Sequence, residues 1–258
     1  GATHEPGVAL AEELTRVAPE GLTRTFFSDD GSTAVEVALK IALQAHAQRD
    51  QPQRRVFVAL EGGYHGDTFG AMAVGDPYPF FMPFAPFLFE VQRVPAEAAA
   101  ITSALDQLGE RAAGVILEPR LQGAAGMKIH DASVVRATRA ACDERGLFLI
   151  ADEVMTGFGR TGALFSCLAC GVTPDLLCLA KGLTGGMYPL SATMATEALY
   201  ETFLSDVRTR ALFHGHTFGG NPVGCAAAIA SSAALKGRVR TACSRVRAAI
   251  SPTSSARA

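Results

Sequence analysis

The sequence predicts an α/β fold: a mainly parallel central sheet with helices on both faces. Short runs of branched apolar residues recur along the 258 residues. Runs that are apolar throughout suit strands buried on both sides. Helix-like segments lie between several of these runs, and that alternation argues for parallel strands joined by helical crossovers.

Taken in order, the first predicted helix is Ser32–His46, entered from Gly31. A strand follows at Val56–Leu60. Phe80–Val91 is apolar and aromatic, but prolines at 83 and 86 interrupt it, and it is too short to span a bilayer. It reads as a proline-rich surface loop with aromatics packed beneath it or at an interface. A helix over Glu97–Arg111 leads to a strand at Gly114–Glu118. The next helix, Ser133–Arg145, sets Val134, Val135, Thr138, Ala141 and Cys142 at helical spacing, and Gly146 stops it. Strands then follow at Leu147–Asp152, Asp175–Lys181 and Leu190–Thr196, and an alanine-rich helix at Val223–Ala234. From Arg238 to Ala258 the chain is mostly Arg, Ala, Ser and Thr, the composition of a disordered tail. Residues 1–237 read as one domain, and no internal repeat is visible.

Composition narrows the function. The chain is 48% hydrophobic, enough for one large core, and its net charge of −2 gives a nucleic-acid partner no electrostatic support. The balance is uneven, because residues 207–258 hold eight Lys or Arg and no Asp or Glu. No signal peptide or membrane span is visible, and the six scattered cysteines suit a reducing, cytoplasmic setting. Cys167-Leu168-Ala169-Cys170 spells C-x-x-C, but no second such pair completes a zinc site. These cysteines read as buried thiols, and no metal is expected.

Several segments carry chemistry. Gly31 and Ser32 open a helix, where free N–H groups, a hydroxyl and the positive dipole end suit an anion; the same pair serves equally as an ordinary cap. Glu61-Gly62-Gly63-Tyr64-His65-Gly66 follows a strand, where Tyr64 either stacks on a flat ligand or packs in a turn. Asp152 and Lys181 each end an apolar run. Charged groups at the ends of buried strands are costly without a partner, and pyridoxal 5'-phosphate needs this combination: an amine for its aldehyde and a carboxylate for its ring nitrogen. Apolar neighbours and a nearby cofactor are expected to pack around Lys181, leaving its amine available as nucleophile and proton carrier. Phe213-His214-Gly215-His216-Thr217 offers two histidines without a third metal-spaced ligand, so a phosphate contact through Thr217 is the more economical reading. Gly157-Phe158-Gly159-Arg160-Thr161-Gly162 spells G-x-G-x-x-G. It neither follows its strand directly nor opens a long helix, so it lacks the dinucleotide-site context.

The order and wording of these segments, from GS before a helix through GYHG, EP-x-x-QG, ADEV-x-TGFGRTG and AKGLTGG to HGHTF-x-GNP, resemble the class III aminotransferases of fold type I. The resemblance covers roughly residues 5–235. It implies a large-domain fold with pyridoxal 5'-phosphate as cofactor. Lys181 would hold the cofactor covalently and act as catalytic base, and Asp152 would pair with its ring nitrogen. Gly31 and Ser32 would hold its phosphate, with Tyr64 against its ring beside the substrate. The resemblance further implies a homodimer with shared sites, in which His216 and Thr217 complete the partner's phosphate site and Gly215 lines the substrate pocket.

Ser28-Asp29-Asp30-Gly31-Ser32-Thr33-Ala34-Val35-Glu36-Val37-Ala38-Leu39-Lys40 and Tyr64-His65-Gly66-Asp67-Thr68-Phe69-Gly70-Ala71-Met72 are most similar to the family branch that aminates 8-amino-7-oxononanoate in biotin biosynthesis, with S-adenosylmethionine as usual donor and lysine in some members. Gln122-Gly123 is followed by Ala124, where ornithine- and aminobutyrate-type members carry a glutamate. An ω-amino acid:pyruvate enzyme, or a non-catalytic binding fragment, are the other readings. The family's N-terminal aromatic segment and C-terminal small domain, with its substrate-binding arginine, are expected to lie outside this chain. Cofactor residues would then be in place while turnover is weak.

Overall fold

The computed structural model describes residues 3–235; the basic tail, 238–258, lies outside the described residues. In chain order the elements are α1 (Glu5–Val17), β1 (Leu22–Ser28), α2 (Gly31–Gln48), β2 (Val56–Leu60), α3 (Phe69–Val74), β3 (Val91–Val94), α4 (Ala98–Leu108) and β4 (Ala112–Leu117). A small hairpin of β5 (Leu121–Gln122) and β6 (Lys128–Ile129) follows. Then come α5 (Ala132–Arg145), β7 (Phe148–Asp152), α6 (Ser166–Cys170), β8 (Leu176–Leu179), β9 (Ser191–Thr196), α7 (Glu197–Glu201) and α8, helical over 222–235.

Seven strands form the main sheet in the order β1-β9-β8-β7-β4-β2-β3. The five from β8 to β3 run parallel, as the apolar runs predict. β9 runs antiparallel to β8, and β1 antiparallel to β9.

Alternation along each strand explains the continuous apolar runs. Phe57 and Ala59 of β2 face a core with α2, while Val58 and Leu60 face a second core with α4 and α5. In β7, Phe148 and Ile150 face the first core and Leu149 the second. A third core gathers Leu10 and Leu14 of α1 with Leu177 and Leu179 of β8 and Cys225 and Ala228 of α8. A strand covered on both faces has no wet side and needs no polar alternation.

Local chemistry fixes the helix ends. Asp30 caps α2 by accepting from the Thr33 N–H at 2.9 Å, and the Thr33 hydroxyl reaches back to the Asp30 N–H at 3.1 Å. Gly146, at φ 61°, ends α5 in the left-handed region that favours glycine. His4 caps α1, and its other ring nitrogen lies 2.6 Å from the Gly220 carbonyl.

Both edge strands, β1 and β3, were absent from the sequence expectation. Their runs, Leu-Thr-Arg-Thr-Phe-Phe-Ser and Val-Gln-Arg-Val, are half polar because an edge strand is only partly covered. The aromatic segment packs one ring beneath it and leaves the others at the surface. Of its phenylalanines Phe81 is buried, at 3% exposure, while Phe80, Phe84, Phe87 and Phe89 are exposed, and Val91 begins β3. Among the described residues, no helix is long and apolar enough to cross a membrane. Cys142, Cys167, Cys170, Cys178 and Cys225 are free and buried.

Two stability predictions follow from this packing. Phe57→Ala, at a fully buried site in β2, should cost about 3–5 kcal/mol in denaturant unfolding. His46 is buried on Phe148, with Nε2 2.7 Å from the Ala113 carbonyl. Burial lowers its pKa below the ordinary 6.5, aided by the charges of Arg54 and Arg49 and opposed by the Ala113 carbonyl and Gln51. The unfolded chain therefore takes this proton first. Stability tied to neutral His46 is present above about pH 6.5 and lost as pH falls through the lowered folded value. Urea unfolding from pH 8 to pH 5 should show a smaller loss for His46→Gln than for wild type.

Candidate active site

Four adjacent parallel strands each deliver polar groups at the same end of the sheet. β8 leads to Lys181, β7 ends on Asp152, β4 is followed by Glu118, and β2 leads to Tyr64 and His65. With Gly31 and Ser32 at the start of α2, these residues line one cavity of about 930 Å³. The position matches the rule that open α/β sheets bind ligands beyond their strand C-termini. The structure thus brings together Gly31, Ser32, Tyr64, Asp152 and Lys181.

Asp152 is buried, at 3% exposure. Its Oδ2 lies 2.7 Å from Nδ1 of His65, and its Oδ1 accepts from the Val154 N–H at 3.0 Å. Burial alone would lower the His65 pKa. The hydrogen bond to Asp152, with the charges of Asp152 and Glu118, outweighs burial and raises it. Burial pushes the Glu118 carboxyl up; the His65 charge opposes that, the Asp152 charge adds to it, and N–H bonds from Gly123 and Tyr64 oppose it again. The result is a buried, coupled cluster of two carboxylates and one imidazole.

Lys181 departs from expectation in one respect. Its side chain is exposed on the cavity wall rather than packed among apolar neighbours. Its backbone sits at φ 40°, a left-handed conformation that side-chain-bearing residues adopt at a cost and that clusters at functional sites.

The α2 N-terminus is approached closely on two sides. A Cβ on Gly31 would lie 2.6 Å from Cγ1 of Val154, so a larger residue would need the wall to shift. Ser32 Oγ lies 2.7 Å from Oγ1 of Thr68 and accepts from the Thr68 N–H at 3.0 Å. Asp30 takes the Thr33 N–H, leaving the N–H groups of Gly31 and Ser32 without intrahelical partners. Tyr64 is half-buried, donates to Asp67 at 3.0 Å and stacks on Phe81 at 6.0 Å.

Gly215, His216 and Thr217 do not line this cavity. Their loop lies beyond its rim, where Nδ1 of His216 sits 3.5 Å from Asp29 and Nε2 of His216 sits 3.0 Å from Nε2 of His214.

Sequence reasoning assigned no role to His65, Glu118, Glu153 or Arg160. Glu153 is fully buried and accepts from the N–H groups of Ser166 at 2.7 Å and Cys167 at 2.8 Å, pinning the loop 154–165 at its base. That loop contains the G-x-G-x-x-G sequence as a turn, and only the five-residue α6 follows it. Arg160, on the loop, lines the cavity and makes no ion pair among the described residues. The available signal for His65 and Glu118 was position alone, since each follows a strand by a few residues.

A local test uses Gly66, which sits at φ 125° where a Cβ would collide with Ser32. Gly66→Ala should cost about 1–3 kcal/mol, read as a lower denaturant midpoint.

Comparison with known proteins identifies the family. Residues 1–249 match the family model Aminotransferase class-III. Over 246 residues the chain is 51% identical to the adenosylmethionine-8-amino-7-oxononanoate aminotransferase of Synechococcus elongatus, covering 90% of this chain and 58% of the relative. The crystal structure of the aminotransferase of that name from Methanocaldococcus jannaschii superposes with a TM-score of 0.89 at 37% identity, covering 93% of this chain and 58% of that one. An amine transaminase from an uncultivated Pseudomonas species, solved in its PLP-bound form, gives a TM-score of 0.86 at 34% identity, covering 92% and 58%. The chain spans a little over half the length of these relatives. It belongs to the class III aminotransferase family.

Proposed function

We propose that this chain carries the cofactor site of a pyridoxal 5'-phosphate-dependent transaminase. Its reaction would be amination of 8-amino-7-oxononanoate with S-adenosylmethionine as amino donor, a step of biotin biosynthesis. The carrying observation is that Lys181 and buried Asp152 emerge from neighbouring strands into one cavity, with the open N-terminus of an 18-residue helix on its wall. The relatives' names support the substrate pair.

The residues present fit the cofactor. Gly31 and Ser32 offer unshared N–H groups and a dipole end to a phosphate, and the glycine leaves room where a Cβ would meet Val154. Asp152 accepts one hydrogen bond at each oxygen from the protein, and a carboxylate has capacity for more. When bound, the cofactor supplies an electron sink for the bond broken at the substrate carbon. Asp152 would hold a proton at the ring nitrogen, and His65 fixes the carboxylate's orientation. Lys181 Nζ, on the cavity wall, would hold the cofactor and, once released by an incoming amine, would take the proton from the substrate carbon. Tyr64, held by Asp67 and Phe81, bounds the reacting side. Arg160, a guanidinium without an internal partner, suits a substrate carboxylate.

In this reading Gly215, His216 and Thr217 serve a second subunit's site. Their exclusion from their own cavity and the exposed phenylalanines of 80–89 support a homodimer. Buried free thiols support a cytoplasmic location.

Incubation with pyridoxal 5'-phosphate, borohydride reduction and peptide mapping should place the adduct on Lys181. An adduct confined to other lysines would sink the proposal. Asp152→Ala should weaken cofactor binding about ten- to a hundredfold, the worth of a charged hydrogen bond, by fluorescence titration. Turnover of 8-amino-7-oxononanoate with S-adenosylmethionine, set against an ω-amino acid with pyruvate, separates this reading from the ω-transaminase one.

A further inference from the structure

Glu118 has no part in the reaction outlined above, yet it occupies the middle of the site. It is 5% exposed and follows β4, between the strand ends that lead to His65 and to Asp152. The connections of the sheet diverge here. β2 leads outward to the edge strand β3, while β4 leads to β7 on the other side. Loops that leave in opposite directions open a crevice between them.

Glu118 bridges that crevice. One carboxylate oxygen accepts from the Tyr64 N–H at 3.2 Å and the other from the Gly123 N–H at 3.0 Å. A second tie joins the same loops, from Nε2 of Gln122 to the Glu61 carbonyl at 3.0 Å. The Glu118 tie is the one that carries charge. His65 faces two anionic groups, Asp152 from β7 and Glu118 from β4; Glu118 faces His65, Asp152 and its two N–H donors.

We propose that Glu118 is a positioning residue with two effects. Its two hydrogen bonds hold the Tyr64–His65 turn against the Gly123–Ala124 loop, and its negative charge keeps His65 a cation against Asp152. A cationic His65 beside Asp152 keeps that carboxylate aimed into the cavity. The link from Asp152 to a cofactor ring rests on the function proposed above; the effect on His65 does not.

The test reads His65 directly. Histidine-labelled chain without cofactor is titrated by ¹⁵N NMR, with His65→Asn assigning the signal. In wild type His65 should titrate above 6.5. Glu118→Gln removes the charge and should lower the midpoint by about one unit or more, while Glu118→Asp should restore it. With pyridoxal 5'-phosphate bound, the pH midpoint of its absorption band should also move in Glu118→Gln. An unmoved His65 midpoint in Glu118→Gln overturns the charge effect, whatever happens to cofactor binding. Should Glu118→Gln not fold, Glu118→Ala carries the charge test with the same expected fall, and Glu118→Asp decides the positioning effect. The shorter side chain keeps the charge and loses a hydrogen bond, so the His65 midpoint should hold while the Tyr64 amide exchanges with solvent at least about tenfold faster. Unchanged exchange overturns the positioning effect. Absence of a Lys181 adduct would overturn the transaminase reading and leave the His65 result standing.

Discussion

The site depends on the double coverage of the parallel sheet. Helices press on both faces of β2, β4, β7 and β8, so a polar side chain within these strands would face an apolar core. Polar groups emerge only where the strands stop. Because the strands are parallel and in register, they stop together, and Lys181, Asp152, Glu118 and His65 arrive in one row. The same layers that exclude water from the core make the row electrostatically strong. Charges in that setting are weakly screened, so each one's state depends on its neighbours.

That dependence explains which parts were legible in the sequence. Interior strands announce themselves because both of their faces are buried; Val56–Leu60 was placed with its observed bounds. The edge strands Leu22–Ser28 and Val91–Val94 did not, since half of each faces solvent and their polar residues break the run. Asp152 and Lys181 were legible as charges that end apolar runs. His65 and Glu118 were not, because their significance is pairwise. Nothing in the local sequence around Glu118 states that β4 lies between β2 and β7, and only that adjacency brings its carboxylate to the Tyr64 N–H. Glu153 was hidden by its neighbour. An acid next to Asp152 looks redundant, yet its side chain serves the fold of the following loop.

Gly215, His216 and Thr217 mark another boundary of legibility. Their motif is as distinct as the others, and the family resemblance assigned two of them to a partner's site. The fold of a single chain leaves all three outside its own cavity, where His216 reaches only as far as Asp29 on the rim.

Lys181 at φ 40° has a consequence for how any replacement there is read. An alanine inherits the unfavourable backbone while losing the amine; a glycine loses the amine and the strain together. If Lys181 serves as proposed, the two proteins would be equally inactive yet differ in robustness. Folding alone therefore favours glycine at this position, and a lysine here sets side-chain chemistry against that preference.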